Sequence, residues 1–260
     1  MKLPKKSVLL PAIVLGGGAV GLALRLWQLR GGMDPEGLLV SGHPAGWLLS
    51  ILCAAVGIAL FVLTRNPGGP GKYYDNFPKS TAGGICAFLA AVCLFFTVLG
   101  EMIGRPDLLT MLCDLLGLLA VFSLAFTGYC RMQRRRPNFL FHTLVCLYFT
   151  LRLICRYRSW SSNPQIAEYA WELLATICLM LAAYHRAAFD LNMGSRRCLE
   201  FFGLAGVFFC ILSLGGNDSK IFYLSAGAWL FTNLCVLEPL PGDSGKPETE
   251  PVPEPPAGNA

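Results

Sequence analysis

Residues 81–103, TAGGICAFLAAVCLFFTVLGEMI, run for 23 positions with one ionisable side chain, Glu101, close to the far end. A helix needs about 20 predominantly apolar residues to cross the hydrocarbon core of a bilayer. Lipid offers backbone N–H and C=O groups no partner, so a run of this kind satisfies them internally as a helix. The same character recurs at Ser7–Leu29, Trp47–Thr64, Leu108–Cys130, Phe139–Tyr157, Glu168–Leu191, Leu199–Gly216 and Ile221–Leu240. The fold class read from these runs is all-α. It is a polytopic membrane bundle of eight transmembrane helices, set out as four hairpins over residues 1–240.

Composition agrees. The 260 residues are 54% hydrophobic and 14% charged, against about 25% charged in a soluble domain. Lipid is the expected solvent. A net charge of +5 reflects loop topology rather than nucleic-acid binding, because the basic residues cluster in short connections. With the N-terminus placed in the cytoplasm, 14 of the 21 Lys and Arg fall on that side and 7 on the other. The cluster from Arg131 to Arg136 is the firmest anchor of that orientation, which puts both termini in the cytoplasm of a plasma membrane.

The punctuation fits helix ends. Asp107 and Asn138 are placed to cap the fourth and fifth spans. Asn192-Met193-Gly194 stops the sixth, and the run Gly215–Ser219 turns the chain between the last two. Met1–Lys6 and the following apolar run resemble a signal peptide without a cleavage site, so the first span is expected to be retained. The tail from Pro241 to Ala260 is proline-rich and acidic and is expected to be disordered.

Charge inside a membrane is costly and by default functional. Arg152 and Arg156 share one face of the fifth span, and Glu168 and Glu172 share one face of the sixth. Folded as an antiparallel hairpin, these predict a ladder: Arg156 opposite Glu168, Arg152 opposite Glu172. The ladder reads first as a clamp on hairpin register and second as a polar site open to the outside. Arg25, Glu101 and Asp114 lie at similar depth on other spans. If they converge with Arg152 and Glu172, three carboxylates meet two guanidiniums and one acid is left to protonate or to meet a cation. The bland alternative is that Arg25 and Glu101 snorkel to the interface.

Other candidates read as structural. His142 is a lone histidine on an apolar helix with no acid near it in sequence. Tyr184-His185-Arg186, Asp190 and Glu200 sit at helix ends, where they complement the dipole. Trp27, Trp47, Tyr129, Tyr157, Trp160, Tyr169, Trp171 and Tyr223 fall near span ends and are expected to form interfacial belts. The 11 cysteines lie in or beside spans without C-x-x-C or His spacing, so they are read as small hydrophobes, with no metal and no cofactor expected. Nucleotide-binding loops, zinc-protease helices and serine elbows are all missing from the sequence. The matched pair of broken helices found in many transporters is also missing.

The stretch from Arg152 to Arg197, with Trp160-Ser161-Ser162-Asn163-Pro164-Gln165 and Met193-Gly194-Ser195-Arg196-Arg197, resembles polytopic bacterial membrane proteins to which no activity is assigned. The similarity is clearest over spans five to eight. It implies a bacterial plasma membrane and transfers no functional residue. The expected function is a non-enzymatic accessory, sensing or structural component. Its partners are the lipid bilayer and a membrane protein or a second copy, with no nucleic acid. The alternative is a transporter or channel for a small polar solute or cation, built on the outer charges.

Overall fold

A computed structural model describes residues 6–32, 43–65, 71–103, 107–161, 166–216 and 219–237. The chain forms α1 (Lys6–Gly31), α2 (Pro44–Leu63), a single turn α3 (Tyr73–Asn76), α4 (Thr81–Met102) and α5 (Leu108–Met132). It continues through α6 (Phe139–Trp160), a 3-10 turn (Ile166–Tyr169), α7 (Ala170–Asp190), α8 (Arg196–Ser213) and α9 (Lys220–Cys235). Among the described residues there is no strand. Proline at Pro44, whose missing N–H costs nothing in a first turn, opens α2. Ser80 accepts from the Gly83 N–H at 2.9 Å and Asn138 from the Leu140 N–H at 3.2 Å, so α4 and α6 start where their caps stand. Asp107 is the N-cap residue of α5, without a side-chain capping bond. Asn192 holds a left-handed φ of 58° just beyond α7, a conformation asparagine tolerates at a helix end.

Six helices, α1 from Leu9 onward, α2, α4, α5, α6 and α7, are long and apolar enough to cross a membrane. Their outward faces fit lipid: Ile51, Ile58, Phe96, Leu115 and Phe122 are all more than half exposed, a pattern a soluble surface would not tolerate over so many positions. The last two helices differ from the expected spans. α8 begins at Arg196, three residues before the apolar window, so Arg196, Arg197 and Glu200 occupy its first turns. α9 ends at Cys235 after 16 residues.

The packing order follows the chain. α4, α5, α6, α7, α8 and α9 each lie against the next, and α9 returns to α4, closing a six-helix ring. α1 and α2 form a hairpin that leans on α8 from outside. This differs from a row of four hairpins, because the α9–α4 contact joins the two ends of the row. Small side chains permit the close approach: Ala87, Ala90, Ala91, Ala120, Ala175 and Ala182 are buried at the helix contacts. At the α4–α5 crossing a Cβ on Gly128 would stand 2.9 Å from the Gly84 carbonyl oxygen, so the two backbones touch there. Trp160 and Tyr223, expected in an interfacial belt, are buried instead, and Trp160 stacks on Tyr169 at 4.6 Å between ring centroids.

Two of the expectations fall outside the described residues: the tail from 241 to 260 and the N-terminal Met1–Lys5. So does part of the turn between the last two helices, at Asn217 and Asp218.

Candidate functional site

Antiparallel packing of α5 on α6 sets the first turns of α5 level with the last turns of α6. On α6, residues 152, 155, 156 and 159 form one stripe at helical spacing; on α5, residues 110, 113 and 114 form another. Together with Glu101 in the last turn of α4, these stripes enclose an open cavity of about 260 Å³. Three guanidiniums (Arg152, Arg156, Arg158) and three carboxylates (Glu101, Asp107, Asp114) line it, so its wall is polar and balanced in charge.

Arg152 is 1% exposed and anchors the floor. Its Nη1 donates to both carboxylate oxygens of Glu101, at 2.8 and 3.1 Å, and to the Tyr148 hydroxyl at 3.3 Å. Its guanidinium lies 4.1 Å from the centre of the Phe222 ring, a cation–π contact in a dry setting. Arg156 donates to the same glutamate through Nη2. At the mouth, Arg158 pairs with Asp107 at 3.3 Å, with both side chains more than half exposed, an arrangement worth little in stability.

The charge network expected from sequence is therefore divided. Glu101, Asp114, Arg152 and Arg156 gather at one cavity. Arg25 and Glu172, each 1% exposed, lie outside it, between α1, α7 and the turn after α8. Arg25 donates to Gln28 Oε1 at 3.1 Å and to the main-chain oxygen of Glu168 at 2.6 Å, and the charges of Glu172 and Glu168 both act on it. Burial at 1% shows that Arg25 does not snorkel. Glu172 sets its Oε1 in the space a Cβ at Gly216 would need. Arg152 and Arg156 both turn to Glu101, because the stripe that carries the two arginines faces α4 and α5.

A second polar cluster, not expected from sequence, lies at the opposite end of the ring. His142, one turn into α6, meets Asp190, the last residue of α7: Nδ1 and Oδ2 are 2.6 Å apart and the side chains are 3% and 0% exposed. Arg186 stands 3.6 Å from the other oxygen of Asp190 and 3.6 Å from the centre of the Phe77 ring. Arg131 approaches the same ring at 4.7 Å and donates to the Val236 carbonyl at 3.4 Å. Phe77 and Tyr73 follow from the loop after α2, tied down by the Tyr73 N–H to Asn192 Oδ1 at 3.1 Å. The available signal was the aromatic spacing of Tyr73 and Phe77, four apart in a loop otherwise rich in glycine and proline. Asp190 is 48 residues from His142, so only helix packing could pair them.

Among the described residues, no group of three His, Cys, Asp or Glu side chains is placed to hold a metal ion. The apolar helices and the polar clusters at both ends of the ring define a helical, multi-pass membrane protein as the class. No family model, curated protein or solved structure matches the chain.

Proposed function

We propose that this chain is an eight-span protein of a bacterial plasma membrane, with both termini cytoplasmic. In this reading it is a non-enzymatic accessory or sensing component whose outer cavity takes up a small solute bearing both charges. The carrying observation is the cavity at the α4–α5–α6 mouth, where Arg152 and Arg156 converge on Glu101 beside Asp114. A space of about 260 Å³ is below the usual range for drug-sized ligands and suits an amino acid or a betaine. Paired charges already compensate one another there, so a zwitterion exchanges partners within the site, whereas a simple anion or cation leaves one sign unmatched. The membrane setting is supported by six helices of spanning length and composition. Partners, a membrane protein or a second copy, would be reached through helix contacts in the lipid plane.

Enzymatic action is disfavoured by the sealing of His142 and Asp190, since no substrate atom reaches side chains 3% and 0% exposed. Transport is the second reading, and the same pair is what favours it. A titratable His–Asp couple at one end of the ring and a charged cavity at the other are the two stations a proton-coupled carrier would use. Tyr148, Phe149 and Phe222, all buried, fill the space between.

Thermal unfolding of the detergent-solubilised protein, with glycine, glutamate, glycine betaine, sodium chloride and potassium chloride as probes, tests the binding reading. Saturation at 100 times Kd adds about 2.7 kcal/mol to stability, so one of the zwitterions is expected to raise Tm by several degrees. The shift is expected to vanish in Asp114→Asn. If no probe moves wild-type Tm, the solute-binding role is lost and the accessory role through helix contacts is left.

A further inference from the structure

Charge does not balance in the polar cluster at the basic end of the ring. Arg131 from α5 and Arg186 from α7 bring two guanidiniums to the ring of Phe77, at 4.7 and 3.6 Å from its centre. Both side chains are buried. The carboxylate that meets them is Asp190, and one of its oxygens is already taken by His142 Nδ1 at 2.6 Å. The other stands 3.6 Å from Arg186 Nη1, beyond hydrogen-bond length, and neither of those two atoms has a hydrogen-bond partner among the described residues. Arg131 pairs with no carboxylate among the described residues. Its Nη2 donates to the Val236 carbonyl at 3.4 Å, at the C-cap of α9, where the helix dipole supplies about half a negative charge. Its Nε and Nη1 are buried without an acceptor. Carboxylates on the adjoining turns are engaged elsewhere: Asp75 of α3 is exposed, and Glu200 holds Arg196 at 2.6 Å. A guanidinium stays protonated in a protein, and a buried charge without a partner is costly. Two positive charges against one negative leave one to be met from outside the chain, even before His142 is counted.

We propose that Arg131 and Arg186 bind a small monovalent anion, of the size and charge of chloride, beside Phe77. One negative charge restores the balance, and Nε and Nη1 of Arg131 with Nη1 of Arg186 supply the donors. Enclosure sets the size. The donor nitrogens are buried, and the rings of Tyr73 and Phe77 that cover the guanidiniums are each 1% exposed. A lipid headgroup with its chains attached has no way to lie against them. The bound anion ties the ends of α5 and α7 to the turn α3, which Tyr73 and Phe77 already anchor there. The side of the membrane that supplies it rests on the orientation proposed above. The site itself does not, and it is independent of the outer cavity.

Thermal unfolding of the full-length protein in detergent tests the site, with chloride exchanged for gluconate at fixed sodium and fixed ionic strength so that screening stays constant. Gluconate is too large for so enclosed a site, so wild-type Tm is expected to rise by several degrees as chloride replaces it, and then to level off. Arg131→Met removes the unmatched charge and keeps a long side chain; it is expected to show no response to chloride. Arg131→Lys keeps the charge but loses the fixed fork of donors, so its half-saturation is expected at higher chloride, and it carries the test if Arg131→Met does not fold. Arg136→Gln, exposed in the same basic turn, is expected to keep the wild-type shift. Equal wild-type Tm in the two salts overturns the proposal. So does a full chloride shift in Arg131→Met, or an unmoved half-saturation in Arg131→Lys. A chloride shift that disappears in Asp114→Asn belongs to the outer cavity and overturns it equally.

Discussion

Glu101 receives two arginines, and the order in which those contacts matter is set by burial. Arg152 is enclosed, with its charge set against the Glu101 carboxylate and the face of Phe222; Arg156 is nearer the mouth, with a side chain 16% exposed. Reversing Arg152 to Glu sets two carboxylates together at the cavity floor. Breaking a buried pair costs about 3–5 kcal/mol, and Glu101, 23% exposed at its side chain, lets water relieve some of that, so a loss near 3 kcal/mol is expected in detergent unfolding. Adding Glu101→Arg is expected to restore about half, since Arg152→Glu regains a partner while Arg156 then faces a like charge. A double variant no more stable than Arg152→Glu would show that the two side chains do not interact. The spacing of Arg152 and Arg156 on one face was legible from sequence, because helical period alone decides it. Their partner was not. Rotation of α6 about its axis depends on Tyr148 and Phe222, and the latter comes from a helix some 70 positions away. His142 failed the same way: its environment is an acid from the far end of the next helix, which no local pattern announces.

At the scale of elements, the α4–α5 contact is the place where side-chain size is most tightly limited. Gly84 and Gly128 present their backbones to one another, and a Cβ on Gly128 would also stand 3.0 Å from that of Ala87. Gly128→Ala is expected to cost about 1–3 kcal/mol by overpacking, and Gly128→Leu to part the helices and lower the yield of monodisperse protein. Gly57 in α2 is the matched control: a Cβ there meets nothing within 4 Å, so Gly57→Ala should be neutral or stabilising by about 0.5–1 kcal/mol from helix propensity. Equal losses at both positions in thermal unfolding would mean that crowding at the crossing is not the cause. Helix starts at Leu108 and Phe139 were readable because Asp107 and Asn138 precede them as N-cap residues, and the start at Thr81 because the apolar run begins there. The start of α8 was not, since hydropathy excludes Arg196 and Arg197 while backbone geometry after Ser195 already admits them. The single turn α3 carries too few residues for any periodicity, and it is ordered by tertiary contacts of Tyr73 and Phe77 with the ends of α5 and α7.

The whole molecule poses the question of whether α8 and α9 cross the bilayer. At 1.5 Å per residue, 18 residues of α8 and 16 of α9 reach about 27 and 24 Å, short of a hydrocarbon core of about 30 Å. Their surroundings argue for crossing all the same. α8 lies between α7, α9, α1 and α2, and α9 between α8 and α4, so both are integrated with helices of full spanning length. A short helix is accommodated by local thinning and by snorkelling of basic residues such as Arg196, Arg197 and Lys220 at its ends. Ring closure itself lay beyond the sequence, because hydropathy orders helices along the chain and does not say which distant pair will meet. Six and eight crossings both return the C-terminus to the side of the N-terminus, so labelling of the termini cannot separate them, but the α8–α9 turn can. A cysteine at exposed Lys220 is expected to react, above the wild-type background, with a membrane-impermeant maleimide added to intact cells, as is one at Asp107 before α5. A cysteine at Arg134, in the basic turn after α5, is expected to react only after permeabilisation. Protection of position 220 together with 134 would leave α8 and α9 on the cytoplasmic face and reduce the crossings to six. Reaction at 134 from outside would instead invert the molecule and place the Arg152–Glu101 cavity in the cytoplasm, where a solute-sensing role would have to serve internal pools.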